Sequence, residues 1–453
     1  MKKLNVDLIN DPIIRAIALF ALPILISYFF QQLYNAVDTM VVGKFLGEMS
    51  LAAIGACAVV FQLLVGFTFG ISSGMSIVVS RYFGSGDEEM IKKSVAASII
   101  IGLIFVAVLT FASEFFLYGL LRLLNTPVGI INEAYQYIHV ITLFLVLMFA
   151  YNFCAGMLRA IGNSIMPLMF LILSSVLNIG LDLLFIINFG MGIKGAAVAT
   201  VLSQAISAVL CIFYIFKKAH ILIPLPHHFK VDAKLYGDLI SHGLSMAMMG
   251  SIVVLGSVIL QYSINSLGPM IIAGHTTARR LFFFCIMPAV ALGITMPTFV
   301  SQNKGANKID RILKGVNYSM IFGVLWGVVC AVLILFTAKP LVMFVSSSSN
   351  QVLVDTGTKY LIFNIAFIFV LGMLNVTRYA LQGLGSKVIP LVSSTIELVA
   401  KVLFVLFVIP SMGYWGVIIS EPVIWIIMTV YLVIAFYGNR DIRAYRKRNM
   451  NYG

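Results

Sequence analysis

The stretch that decides the fold is Pro23–Lys44, PILISYFFQQLYNAVDTMVVGK, which belongs to the first of many long apolar segments in the chain. Its length and apolar character predict a helix that crosses a membrane, since a span needs about 20 such residues. Pro23 near its start and Asp38 near its end interrupt this pattern. A carboxylate at membrane depth costs about 3 kcal/mol in insertion experiments, and such residues mark functional sites. We therefore expect Asp38 to be the coupling residue of a transporter.

The composition indicates an integral membrane protein throughout. Of 453 residues, 61% are hydrophobic and 10% charged, whereas a soluble protein carries about 25% charged residues. Twelve segments are long and apolar enough to span. The net charge of +13 does not indicate nucleic-acid binding, because the basic residues are scattered over short loops instead of forming one stripe. No GxxxxGK[ST] loop is present, so ATP is not an expected partner.

The basic residues also orient the chain in the bilayer. Lys and Arg concentrate in alternate loops, which predicts that these loops and both termini are cytoplasmic. We expect a multi-pass protein of the cell (cytoplasmic) membrane. The basic residues on that side include Arg81, Lys92, Lys93, Arg159, Lys217, Lys218, Lys304, Lys308, Arg311 and Arg378.

The second half of the chain repeats the first. Chance matching of Gly-rich turns is the alternative, but four blocks in one order at nearly one offset argue against it. Three matching pairs are 221 residues apart and one pair is 223 apart: Leu46 and Leu267, Ser80 and Ser301, Met191 and Met412, and LRAIGNSIMP at 158–167 with LQGLGSKVIP at 381–390.

Six spans per half give both halves the same orientation, which predicts a pseudo-two-fold axis along the membrane normal with a cavity between the halves. The expected fold class is thus an all-α polytopic membrane protein with twelve transmembrane helices in two six-helix lobes. The predicted lobes are residues 1–218 and 238–438, joined by a cytoplasmic linker at 219–237 and followed by a basic tail at 439–453. His227 and His228 in the linker are expected to be solvated, without metal spacing.

Depth counting predicts a polar cluster in the first lobe. Asp38 lies six residues before Lys44, Asp182 six before Asn188, and Thr200 six after Lys194. At about 1.5 Å rise per residue, all three side chains lie roughly 9 Å below the outer surface. Asn178 precedes Asp182 by four residues and shares its helix face one turn deeper.

Two carboxylates, an amide and a hydroxyl suit a proton or a small hard cation. We expect H⁺ or Na⁺ as the coupling ion, with Na⁺ at Asp38, Asp182 and Asn178 as the possible metal site and no other metal or cofactor. For Asp38 the alternative is an interfacial carboxylate that reaches water, although an Asp is disfavoured at a helix C-terminus. Asp182 could instead make a structural hydrogen bond, and Asn178 and Thr200 could be helix–helix contacts.

The first span has two further features of interest. Pro23 removes a backbone hydrogen bond and is expected to kink the helix ahead of Asp38. Gln31, Tyr34 and Asn35 share the Asp38 face at spacings of three and four residues. A polar face on a buried helix predicts a water-filled lumen that could contact substrate.

The second half carries different charges. The residue 221 positions after Asp38 is Ile259, so no carboxylate corresponds to it. The in-span charged residues are Arg279, Arg280, Glu397, Lys401 and Glu421. An internal ion-pair network, with Glu397 and Lys401 paired across one helical turn, is one interpretation. Substrate contact is the other, and it would favour acidic or zwitterionic cargo.

Together these residues make the chain resemble the multidrug and toxic compound extrusion (MATE) family, in its bacterial DinF-like branch. The motifs are Pro23 with Asp38, the SRYFG loop from Ser80, LRAIGNSIMP, and Asn178 with Asp182 ahead of GMGIKGAAVAT. The resemblance implies two six-helix lobes, a cation site at Asp38, Asn178, Asp182 and Thr200, and Pro23 as the kink proline. The acidic residues that some members place on helices 7 and 10 are missing here.

We accordingly predict a secondary transporter and not an enzyme. It would export amphipathic small organic compounds by alternating access, in antiport with H⁺ or Na⁺, as a monomer in the lipid bilayer. The alternative is a flippase for a lipid-linked or anionic metabolite, since Arg279 and Arg280 could hold a phosphate or carboxylate. A passive channel is disfavoured because the spans carry no ring of repeated polar residues.

Overall fold

The computed structural model describes residues 5–450, and within that range the chain is helical and contains no strand. The helices are long because apolar side chains continue over whole spans, and polar or glycine-containing turns end them. The helices of the first half are α1 (Ile13–Leu46), α2 (Glu48–Ser85), α3 (Glu88–Leu123), α4 (Val128–Leu143), α5 (Leu145–Ala160), α6 (Ile165–Leu183) and α7 (Ile193–Lys218).

The second half repeats this order after two short 3₁₀ turns, His220–Leu222 and Pro226–Phe229. Its last helix, α16, lies beyond the apolar spans and carries the basic tail. The helices are α8 (Ala233–Asn265), α9 (Pro269–Gly305), α10 (Ile309–Ser346), α11 (Gln351–Ile365), α12 (Ile368–Gly383), α13 (Val388–Leu403), α14 (Ile409–Met412), α15 (Tyr414–Gly438) and α16 (Arg440–Met450).

Twelve spans are accounted for in the described residues. Ten segments are each long and apolar enough to cross a membrane, and two more are bent pairs: α4 with α5 at 51°, and α11 with α12 at 53°. The predicted twelve-span, all-helical fold is therefore confirmed. The bends are a departure from the straight spans that the sequence predicts. Neither break contains proline or glycine, so the local sequence gives no signal for them.

The two halves also share a rarer feature. A π-helical turn follows α6 at Leu184–Asn188, and another follows α13 at Phe404–Val408. A π-turn is a local insertion of one residue into an α-helix, and it is often found at functional sites. Bends and π-turns thus recur at corresponding places, in agreement with the internal repeat.

The chain divides into two compact units that do not follow the chain order strictly. One holds Leu22–Ser251 together with residues 5–7, and the other holds Leu8–Ala21 and the chain from Ile252 onward. Each unit therefore contains part of a helix from the opposite half of the sequence. The boundaries at 218 and 238 stay a prediction about the sequence halves.

Polar contacts hold the start of the chain within the second unit. The Leu8 carbonyl accepts hydrogen bonds from Asn303 Nδ2 at 3.0 Å and from Arg311 Nη2 at 3.1 Å. Arg311 Nη2 also donates to the Asp11 carbonyl at 2.8 Å. These bonds satisfy carbonyl groups that precede the first helix and fix where α1 begins.

One prediction about the linker is wrong. His228 is 2% exposed and therefore is not solvated. Its Nδ1 accepts a hydrogen bond from the Leu225 backbone N–H at 2.7 Å, and its Nε2 lies 3.0 Å from Glu89 Oε2. The imidazole thus closes a 3₁₀ turn and ties the linker to the start of α3, two roles that residue spacing alone does not reveal.

Helices α2 and α8 approach each other so closely that glycine is required at Gly74. A Cβ placed on Gly74 would lie 2.2 Å from the His242 carbonyl oxygen and 2.6 Å from Gly243 Cα. Those atoms belong to backbone and cannot rotate away. Gly70, one turn earlier, faces the Ala247 backbone in the same manner: a Cβ placed on Gly70 would lie 2.4 Å from Ala247 Cα.

We expect Gly74→Ala to destabilise the protein by about 1–3 kcal/mol or more, because the helices must separate to admit the methyl group. Gly66→Ala is the matched control on the same helix, since nothing lies within 4 Å of a Cβ there. Alanine should be neutral or stabilising at that position. Thermal unfolding of the two purified variants in one detergent provides the measurement. Equal midpoints would show that the close approach is unimportant.

Candidate functional site

Two buried carboxyl groups face each other in the first unit. Asp38, on α1, is 8% exposed, and Asp182, at the end of α6, is fully buried. The two carboxyl groups are close enough for their charges to interact. Two ionised carboxylates at short range repel, and a proton or another cation bound to them relieves that repulsion. The pair is therefore a place where a proton or another cation can reside.

Asn178 and Thr200 complete this cluster from α6 and α7. With its amide oriented to satisfy both ends, Asn178 donates to Asp182 Oδ2 at 3.0 Å and accepts from the Thr200 backbone N–H at 3.2 Å. This orientation is preferred because the opposite one leaves the amide oxygen facing only acceptors. Tyr34 Oη lies 3.3 Å from Thr200 Oγ1. Three helices thus hold one polar cluster.

The donor set of the cluster is made of oxygen atoms that are incompletely satisfied. Asp38 Oδ1 and Asp182 Oδ1 are buried without a hydrogen-bond partner. Within residues 5–448, no ion pair reaches either carboxyl group. Unpaired charge in an apolar interior is costly, and hard monovalent or divalent cations prefer oxygen ligands. The residues present therefore fit a proton or a small hard cation such as Na⁺.

The other residues predicted on α1 do not join the cluster. Gln31 and Asn35 are exposed, and only Tyr34 of that set contacts it. Pro23 lies inside a continuous α1, and its carbonyl accepts a hydrogen bond from Ser27 Oγ at 2.8 Å. A lumen-facing role for Gln31 and Asn35, and a functional bend at Pro23, stay predictions.

Tyr137 is a neighbour of the cluster that depth counting does not identify. It lies on α4, is 5% exposed, and is within electrostatic range of Asp38, Tyr34 and Asp182. The one available signal is that a tyrosine, Tyr360, stands at the corresponding place 223 residues later. The π-turn directly after Asp182 was equally invisible to sequence periodicity.

The second unit contains an ion-pair network in place of a carboxyl pair. Arg279 Nη1 lies 2.5 Å from Glu421 Oε1, and Tyr360 Oη donates to Glu421 Oε2 at 2.5 Å. His275 Nδ1 lies 3.1 Å from Tyr414 Oη and stacks edge-on against Tyr360. Arg279, a candidate substrate contact, is thus held by an acidic partner.

Lys401 and Glu397 form a second buried pair nearby. Lys401 Nζ lies 2.9 Å from Glu397 Oε1, and Arg378 Nη2 lies 3.5 Å from Glu397 Oε2. Ser393 Oγ accepts a hydrogen bond from Arg378 Nε at 3.0 Å. Arg280 is exposed, and it makes no hydrogen bond or ion pair with the part of the chain that the structure describes. Of the five in-span charges predicted, four are therefore paired.

A further acid–histidine group lies at the linker, where no metal spacing was expected. One ligand atom from each of Glu89, His227 and His228 lies within 4.8 Å of the others. The His228 ring argues against a metal, because its Nδ1 accepts from Leu225 and its Nε2 must then carry the proton. We interpret the group as a structural tie.

Comparison with known protein families identifies the family to which this chain is related. The MatE family model matches the chain twice, over residues 23–184 and 245–407. The chain belongs to the MatE family. The two matches cover both halves, and the first includes Pro23, Asp38, Asn178 and Asp182, so the resemblance inferred from the motifs is confirmed.

Two curated relatives and one solved structure illustrate this MatE relationship. The chain is 30% identical over 362 residues to the "Probable multidrug resistance protein YoeA" of Bacillus subtilis, covering 77% of this chain and 78% of the relative. It is 28% identical to the "Probable multidrug resistance protein YpnP" of the same organism, covering 68% of each. The crystal structure of MATE in the bent conformation aligns with a TM-score of 0.88 at 22% identity, over 98% of both chains.

Proposed function

We propose that this MatE protein exports amphipathic small organic compounds and that the inward movement of H⁺ or Na⁺ drives the export. The observation that carries the proposal is the pair of buried carboxyl groups, Asp38 and Asp182, with an unsatisfied oxygen on each. The names of the relatives, multidrug resistance proteins, support the direction and class of cargo.

The coupling follows from the electrostatics of the cluster. When a cation or proton is bound, the charge of the pair is reduced and α1 can pack against α6 and α7. When the pair is empty, two carboxylates repel at short range, and the contact of Tyr34 with Thr200 on α7 is stressed. Each charge state therefore favours a different packing of α1, which is the requirement for coupling ion movement to a conformational change.

Alternating access and antiport are part of this proposal. If the cation binds one conformation more tightly and the substrate binds the other, the binding of one favours release of the other. The shift in the conformational equilibrium is limited by this difference in affinity. Pro23 lies fifteen residues before Asp38 on the same helix, so a bend there would convert the charge change into movement of α1.

The alternative, a flippase for an anionic or lipid-linked metabolite, has less support. Its main candidate, Arg279, is already paired with Glu421 at 2.5 Å. Only Arg280 offers an unpaired positive charge among the in-span residues predicted for that role. An anionic cargo would therefore have to displace an existing ion pair or rely on a single arginine.

The proposal is tested with the full chain in proteoliposomes loaded with ethidium. A Na⁺ gradient and a pH gradient are imposed separately, and dye movement is followed by fluorescence. We expect one of the two gradients, directed opposite to the dye, to drive its movement, and the matching ionophore, monensin or nigericin, to abolish it. Dye movement that ignores both gradients would contradict ion coupling.

A further inference from the structure

The ion-pair network of the second unit stands at the place that the cation cluster occupies in the first. Helices α6 and α13 both contain a buried proline in their first turn, Pro167 and Pro390. Counted from these prolines, Asn178 and Lys401 are each eleven residues further on. Both side chains are buried, at 0% and 4% exposure. Lysine in the second half therefore replaces the asparagine that binds Asp182 in the first.

The neighbouring helices, α7 and α15, give the same correspondence independently. Each follows a glycine in an unusual backbone conformation, Gly192 with φ 60° and Gly413 with φ 56°. Counted from these glycines, Thr200 and Glu421 are each eight residues further on. A hydroxyl in the first half thus corresponds to a carboxylate in the second.

The tyrosine neighbour is conserved between the halves. Tyr137 is nine residues into α4 and Tyr360 is nine residues into α11. Tyr360 donates its hydroxyl to Glu421, and Lys401 lies within electrostatic range of the same carboxylate. Corresponding positions on three helices therefore contribute to a polar cluster in each half. In the first half two of them carry the neutral side chains of Asn178 and Thr200, and in the second half they carry the charged side chains of Lys401 and Glu421.

The two clusters differ in whether cationic side chains are paired with their carboxyl groups. Asp38 and Asp182 have no cationic side chain paired with them in the described residues. Glu421 is paired with Arg279, and Glu397 is paired with both Lys401 and Arg378. The first cluster requires a cation from solution to become neutral, whereas the second contains its own cations.

Space for the lysine is provided by α8. An ideal Cβ on Gly256 would lie 3.0 Å from Lys401 Cδ and 3.6 Å from its Nζ. A side chain on Gly256 would press on the lysine stem, so the absence of one allows the ammonium to remain beside Glu397. The residue 221 positions earlier, on α1, is Asn35, which again distinguishes the halves.

We propose that the Lys401 ammonium group is a tethered cation that permanently fills the second copy of the cation site. An ammonium group is a compact monovalent cation that carboxylate oxygens bind as they bind Na⁺ or a proton. The consequence is a stoichiometry of one exchangeable cation site per chain, in the first unit. This inference rests on the proposed function only in taking the Asp38–Asp182 cluster as the exchangeable site.

The test counts bound cations on the purified full chain in lipid nanodiscs, with ²²Na⁺ for sodium and a pH-indicator titration for protons. The background variant is Asp38→Asn with Asp182→Asn, which removes the first cluster. In that background we expect cation binding at background level. Adding Lys401→Asn together with Arg378→Gln should raise it to about one cation per chain, because Glu397 then has no cationic partner and an uncompensated buried charge is costly. Adding Arg378→Gln alone, which leaves the Lys401 ammonium group in place, should not.

Failure of the inference and failure of the proposed function can be told apart. Absence of cation binding in the wild type, with a gain when Lys401→Asn is combined with Arg378→Gln, would contradict the coupling site and support the tethered cation. No gain from that combined variant in a folded protein overturns the tethered cation. If that variant does not fold, the wild-type stoichiometry decides, because two cations per chain are incompatible with a filled second site.

Discussion

Asp38→Asn is expected to abolish gradient-driven efflux of a cationic dye while the protein still accumulates in the membrane. Asparagine preserves the size of the side chain but cannot take up or release a proton, and it weakens cation binding by removing a charge. The Asp38 carboxyl interacts with Asp182 and has an unsatisfied oxygen. The proposed transport cycle depends on the gain and loss of charge at this group. Ethidium uptake into everted vesicles, in which cellular efflux is directed inward, provides the measurement.

The matched control is Asp355→Asn. Asp355 lies on α11 and accepts hydrogen bonds from the exposed Gln351 at 3.1 Å, so it shares the chemistry of Asp38 without its surroundings. We expect this variant to transport at close to the wild-type rate, because a solvated hydrogen bond contributes little. Full dye export by Asp38→Asn would remove the basis of the proposed coupling.

The second large effect is expected for Glu397→Gln, and it concerns stability. This carboxylate lies between two nearly buried cations, Lys401 and Arg378, with side-chain exposures of 6% and 7%. Removing one partner of a buried ion pair leaves an uncompensated charge, which costs about 3–5 kcal/mol. Glutamine can still accept from Lys401, but its NH₂ group would face the guanidinium of Arg378.

Unfolding in detergent can be followed with a thiol-reactive fluorogenic dye, since four of the five cysteines are buried and become accessible as the protein unfolds. Glu88→Gln is the control, because Glu88 pairs with Lys92 at the same i, i+4 spacing and 2.7 Å but is 60% exposed. An exposed pair is worth about 0–1 kcal/mol. Similar unfolding midpoints for the two variants would show that the buried ion pairs of Glu397 contribute no more to stability than the exposed pair of Glu88.

Much of the fold follows from the sequence, because lipid requires long apolar helices and leaves few alternatives. What could not be predicted is local. The breaks before Leu145 and Ile368 contain no residue that disfavours a helix, so tertiary packing must impose them. The π-turns likewise have ordinary apolar sequences.

The candidate site was accessible to depth counting for the same reason. Distance from the span ends groups Asp38, Asp182 and Thr200, since a helix has a fixed rise per residue, and the structure places all three in one unit. Rotation about the helix axis is harder to judge. Gln31 and Asn35 share a face with Asp38 on a helical wheel and are exposed, whereas Asp38 is buried, because a wheel does not say which neighbours cover each position.

The two π-turns also bear on history. A π-turn records the insertion of one residue into an α-helix, and the same insertion follows α6 and α13 in both halves. The simplest account is that one ancestral six-helix gene acquired it before that gene was duplicated and fused. The acids of the first half and the lysine of the second then diverged on an inherited backbone. On this view the geometry of the site is older than its chemistry, and the division of labour between the halves is a later specialisation.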